Sequence, residues 1–182
     1  MGWPKLLFLG WLGGLATAAA IGLAVVFGGL FDARASTPHL PTVAWAAHTA
    51  MIRYVRNAAG DVTPPARFSQ AQVLAGSRDY DAHCAVCHGG PAVARAAWVE
   101  GMNPPPPYLL DAARQWTPAE LFVISGQGVK MTGMPAWTFH RTDAQLWDLV
   151  AFLEALPRVT PADYQRLRQT QAVPPAPTQA VR

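Results

Sequence analysis

The chain opens on a run without a single charge: between Lys5 and Asp32 lie the 26 residues Leu6 to Phe31, nearly all of them apolar or small. As a helix this run would reach roughly 39 Å, ample for a hydrocarbon layer about 30 Å thick. Lys5 and the amino terminus sit on its short side, so the positive-inside tendency sends the rest of the chain out of the cytoplasm. Ala33-Arg34-Ala35 has the look of a cleavage site. A cleavable leader, however, carries an apolar core of about 7–15 residues, far shorter than this one, and the segment is expected to stay as an anchor. Within it Gly10, Gly14, Ala18 and Gly22 fall every fourth residue, a stripe of small side chains of the kind that lets a second membrane helix approach.

Beyond the anchor the pattern changes several times. Asp32 to Pro41 reads as an extended linker, with Pro38 and Pro41 opposing helix. From Thr42 to Ala58, Ala44, Ala47, Met51, Val55 and Ala58 recur at helical spacing opposite Thr49, Arg53 and Arg56, which predicts an amphipathic helix. It would lie on a membrane surface, on a partner, or against the domain that follows. Asn57 to Gly60 ends it and Pro64-Pro65 closes the linker. Thr117-Pro118-Ala119-Glu120 is a capping box with proline at the first helical position, opening a helix to about Ser125; Gly126 and Gly128 stop it, leaving Val129 to Trp137 as irregular loop. A second box, Thr142 to Gln145, opens a helix through Leu146–Leu153, with Trp147, Val150 and Leu153 on its packed face. After Pro157 the apolar period fades: Pro161 to Gln169 reads as a short helix and Val173 to Arg182 as a disordered tail. All predicted elements are helices, so the fold class is all-α.

Charge narrows the function. The net +3 conceals a domain from Phe68 to Pro157 with five basic and eight acidic residues, so the excess positive charge lies in the flanks. Nucleic-acid binders gather basic charge on the folded domain, and that class is excluded. Basic flanks suit anionic headgroups or a partner's surface.

Only two cysteines occur, Cys84 and Cys87, too few for a disulfide framework or a four-ligand zinc site. The next residue is His88, and Cys84-Ala85-Val86-Cys87-His88 is the attachment sequence of a c-type haem. Each thiol adds across one porphyrin vinyl group, and the residue after the second thiol then lies under the iron as an axial imidazole. The expected cofactor is therefore one covalent haem c held by Cys84, Cys87 and His88. His39 and His48 are assigned no role.

Around this motif the chain resembles the class I cytochrome c family, from about Phe68 to Pro157. Gly76-Ser77-Arg78-Asp79-Tyr80 resembles its first helix and Leu146 to Leu153 its last; in the family these cross, the glycine admitting the other helix's aromatic. Gly133-Met134-Pro135-Ala136-Trp137 resembles the family's methionine loop, which implies Met134 as the second axial ligand, with Met131, Met102 and His140 as lesser candidates. The resemblance also implies that one carbonyl of Pro104 to Pro107 receives the other N–H of the His88 imidazole. Tyr108, Trp116, Trp137 and Phe139 are candidates to pack on the haem or hydrogen-bond a propionate, and are read first as core packing. The resulting division is an anchor at 1–31, a linker with an amphipathic helix at 32–67, the haem domain at 68–157 and a short helix with tail at 158–182.

The resemblance implies single-electron transfer rather than enzymatic catalysis, by a single-pass protein of a bacterial inner membrane with its haem domain in the periplasm. It implies redox partners: a quinol-oxidising complex, an oxidase or a dehydrogenase. The chain would be a fixed electron-carrying subunit of such a respiratory complex, and the small-residue stripe and the amphipathic helix favour this over a free tethered shuttle. A haem peroxidase of this family carries two CxxCH motifs and this chain has one. A sensor needs an output domain, and only five residues precede the anchor. An assembly subunit is the remaining alternative.

Overall fold

The computed structural model describes residues 2–170, and the tail read from Val173 onward lies outside them. The all-α expectation holds: among the described residues there is no strand, only an isolated antiparallel bridge between Gly90 and Val93. The chain divides into two units, the second beginning at Pro38.

The first unit is essentially one helix, α1 (Trp3–Phe27), long and apolar enough to cross a membrane and with no buried residue of its own. That is compatible with a single-pass membrane anchor.

In the second unit α2 (Pro41–Ala59) comes first. Pro41 does not oppose helix here but begins it, because a proline at the first position forfeits only an N–H that has no partner inside the helix. The C-terminal half of α2 packs through buried Val55 against α6 (Pro118–Gln127), and Arg56 lies 3.7 Å from Glu120. Its first two turns, Pro41 to His48, are exposed all round.

The core is built where α3 (Gln70–Asp79) crosses α7 (Asp143–Ala155). Both helices start from capping boxes, Ser69 with Gln72 and Thr142 with Gln145. At the crossing the partner of Gly76 is not an aromatic ring, as the resemblance implied, but α7's own backbone. A Cβ on Gly76 would overlap the Asp148 carbonyl oxygen and stand 3.0 Å from Leu149 Cα. The aromatics pair elsewhere: Tyr80 meets Phe152 at 5.1 Å, and Trp147 stacks on Phe122 at 4.3 Å. Leu146, Leu149, Val150, Phe152 and Leu153 fill the interior, joined by Ala112 of the one-turn helix α5 (Ala112–Gln115).

Helix α6 runs two residues past the expected stop. Gly126 stays helical and buried, its missing side chain leaving room for Thr138 and Leu146; Gly128, at φ +65°, is where the chain turns. At the other end, the packed core does not finish near Pro157. Helix α8 (Pro161–Thr170) folds back, and Tyr164 is wholly buried against Phe152 and Gly90. Tyr164 and Leu167, a single pair among polar neighbours (Asp163, Gln165, Arg166), are too short a run to make an apolar period, which is why this docking is invisible to a periodicity reading.

Candidate haem site

Between α3 and the short helix α4 (Ala85–His88) the backbone widens into one π-helical turn, Tyr80–Cys84, closed by the Ala85 N–H donating to Tyr80 O. Single π turns inside α-helices are uncommon and gather at functional positions. Here the turn sets Cys84 at the end of one helix and Cys87 and His88 on the next. The two thiols form no disulfide with each other. Buried Tyr80 fixes the turn by donating its hydroxyl to Gly89 O at 2.7 Å, and burial, its largest influence, holds that phenol protonated well above the ordinary range. Burial, with the Asp79 charge next, pushes the Cys84 thiol up to about 12, while the Arg141 guanidinium pulls it the other way.

His88 is largely buried, and its Nδ1 lies 2.7 Å from the carbonyl oxygen of Pro107. A carbonyl only accepts, so Nδ1 carries the hydrogen and Nε2 keeps its lone pair for a metal. Burial lowers the His88 pKa, and the Pro107 carbonyl opposes that shift; the result favours the neutral ring that a metal requires. The proline run is thus resolved at its last member. Its neighbour Pro106 accepts from Arg95 Nη1 at 2.7 Å, and the same guanidinium lies over the Tyr108 ring at 4.5 Å. Tyr108 is therefore a platform for Arg95 rather than core packing.

Met134 lies on the loop after α6. Gly128 begins this loop tight against the Met134 and Pro135 carbonyls. Val129 N–H donates to Met134 O at 3.3 Å, and Met134 N–H donates to Thr132 Oγ1 at 3.1 Å. The lesser candidates are placed as well: Met131 is exposed at φ +62°, the Met102 methyl packs on Gly133, and His140 is exposed. His39 and His48 are both exposed. Trp116 does pack against the core. Trp137 instead faces His83 and Arg141, a grouping with Asp79 that sequence reasoning missed. No spacing signal announces it, because its members are drawn together from two distant segments.

As a donor set, two thiols three residues apart, an imidazole with Nε2 available and a thioether on the loop after α6 fit a c-type haem.

Helices crossing at a glycine, a CxxCH turn and a methionine loop are the working parts of a class I c-type cytochrome domain. Residues 71–153 match the family described as cytochrome c oxidase, cbb3-type, subunit III, and the chain carries a class I c-type cytochrome domain there. The activity of such a domain is electron transfer with haem c. No curated protein and no solved structure matches the chain.

Proposed function

We propose that the chain is the electron-carrying subunit of a membrane oxidoreductase complex, holding one haem covalently through Cys84 and Cys87, with His88 and Met134 as axial ligands. The observation that carries this reading is the His88–Pro107 bond, which orients an imidazole with its Nε2 free, on the residue that directly follows the thiol pair. The haem supplies reversible storage of one electron. With His88 and Met134 both holding the iron, no position would remain open for a substrate, and the function this reading supports is outer-sphere transfer rather than catalysis at iron. The neutral thioether of Met134 favours the ferrous state and raises the potential. Met134→Ala should therefore lower the midpoint potential by a sizeable part of the roughly 0.8 V that axial ligation spans. An unchanged potential would remove Met134 from the ligand set.

Several features support a fixed subunit over a free shuttle. The matched family is named for an oxidase subunit. Helix α1 has the length of an anchor and carries the stripe Gly10, Gly14, Ala18, Gly22, which has no neighbour at its three glycines and suits a second membrane helix. The exposed turns of α2 present Val43 and Trp45, large apolar groups that suit a companion or the headgroup layer. The periplasmic face of a bacterial inner membrane is the compartment this reading requires. Gentle detergent extraction with haem staining tests it. Stoichiometric oxidase or dehydrogenase subunits should co-purify, whereas a lone haem-staining band would favour the tethered shuttle.

A further inference from the structure

A surface cavity of about 400 Å³ lies beside the haem-attachment turn, and Asp79, His83 and Arg141 stand together in its wall. Arg141 grips the Asp79 carboxylate with two nitrogens, Nη2 at 2.7 Å and Nε at 3.0 Å from Oδ1. Both side chains are mostly covered, at 17% and 21% exposure, so this pair is screened less than an ordinary surface pair. His83 closes the group, with Nδ1 3.0 Å from Asp79 Oδ1 and Arg141 Nη2 3.2 Å from the same ring nitrogen. The Trp137 ring meets the His83 edge at 5.3 Å and lies 5.3 Å from the Arg141 guanidinium carbon.

The four residues come from only two segments. Asp79 ends α3 and His83 directly precedes Cys84, so both belong to the attachment turn. Trp137 follows Met134 by three residues, and Arg141 directly precedes the Thr142 cap of α7, so both belong to the exit of the methionine loop. Within itself that loop is held by little more than the Val129, Thr132 and Met134 hydrogen bonds.

We propose that Asp79, His83, Trp137 and Arg141 form a clasp that shuts the methionine loop onto the attachment turn, making Arg141 and Trp137 positioning residues for the Met134 thioether. This rests on the axial-ligand reading of Met134 given above. The clasp spends a fork-geometry ion pair and a ring contact on joining the two segments that supply the covalent links and the sixth ligand. Lysine would keep the charge of Arg141 but lose the fork.

The test uses the full-length holoprotein in detergent, with Arg141→Gln, Arg141→Lys, Asp79→Asn and the double variant Asp79→Asn/Arg141→Gln. Two spectroscopic signals are read: the sulfur-to-iron charge-transfer band of the ferric form, and carbon monoxide binding by the ferrous form without denaturant. Far-ultraviolet circular dichroism monitors the helices. Arg141→Gln should weaken the band and admit carbon monoxide while helix content stays at the parental level, and Arg141→Lys should fall between. The double variant should be no worse than either single one, since the two residues act through one contact. Should Arg141→Gln fail to fold, Trp137→Phe and His83→Gln, which leave the ion pair intact, carry the same expectation. Parental band strength and carbon monoxide exclusion in every folded variant would overturn the clasp. A band that also survives Met134→Ala would instead overturn the ligand reading.

Discussion

At Gly76 the backbone of α7 leaves no room for a Cβ on α3, and adding one methyl group there tests the fold directly. In a free helix Gly→Ala is favourable by about 0.5–1 kcal/mol. At this position the new carbon would stand 2.5 Å from the Asp148 carbonyl carbon and overlap its oxygen, whereas ordinary contact begins near 3.4 Å. The helices must therefore separate by about 0.9 Å at the least. No rotamer change relieves the clash, because the obstructing atoms are backbone. Separation also loosens the contacts of Tyr80, Val150 and Phe152, all fully buried. Overpacking of this kind typically costs about 1–3 kcal/mol, and the loosened aromatic pair adds to it. After the propensity gain, Gly76→Ala should destabilise by about 2 kcal/mol or more, a lowering of the thermal midpoint by roughly 8 °C. The assay is thermal and urea denaturation of the holoprotein, followed by circular dichroism. Gly101→Ala is the control: a Cβ there meets nothing within 4 Å, and its effect should stay within about 0.5 kcal/mol. A Gly76→Ala protein as stable as the parent would refute the close crossing.

Tyr164→Phe removes the hydroxyl that donates to Asp81 at 3.0 Å but leaves Arg168 on that carboxylate at 2.8 Å, so urea melts should show a loss of about 1 kcal/mol. Tyr164→Ala also empties the space beneath Gly90 and should cost about 3–5 kcal/mol by the same measurement. Thr142→Ala deletes the acceptor for the Gln145 N–H at the start of α7 and should cost about 1 kcal/mol in denaturant titration. Glu154 has a buried Oε1 without a partner among the described residues, and burial raises its pKa against the weaker pull of Arg158. A raised folded-state pKa means the folded protein holds this proton more tightly than the unfolded chain. The penalty is therefore absent below the ordinary glutamate value of 4.5 and grows as pH rises above it. Glu154→Gln should accordingly melt higher than the parent near pH 7, with no advantage near pH 4.

What was readable in the sequence was what lies local in the chain. The thiol pair with His88, the capping boxes at Thr117 and Thr142, and the uncharged run of α1 are each carried by neighbouring residues. The features that escaped depend on residues far apart. Nothing in the text of the chain says that Asp79 will meet Arg141, that Arg95 will lie over Tyr108, or that Pro107 rather than Pro104 will face His88. Pro41 and Gly126 depart from the expectation for another reason: the same residue type starts, stops or continues a helix depending on its position and on the packing around it. The docking of α8 turns on Tyr164 with Leu167 beside it, and two residues are too few to show a periodicity.

Helix α8 lies outside the matched residues 71–153, yet its Tyr164 closes over Gly90 and its hydroxyl reaches Asp81 on the attachment turn. Chain order gives this a temporal meaning. A polypeptide is delivered from its amino end, and its domains form in that order. Cys84, Cys87 and His88 are therefore delivered while the residue that covers this side of the turn is still being made. Closure over the turn waits for α8, so the side of the turn that Tyr164 covers stays open until that helix has been delivered.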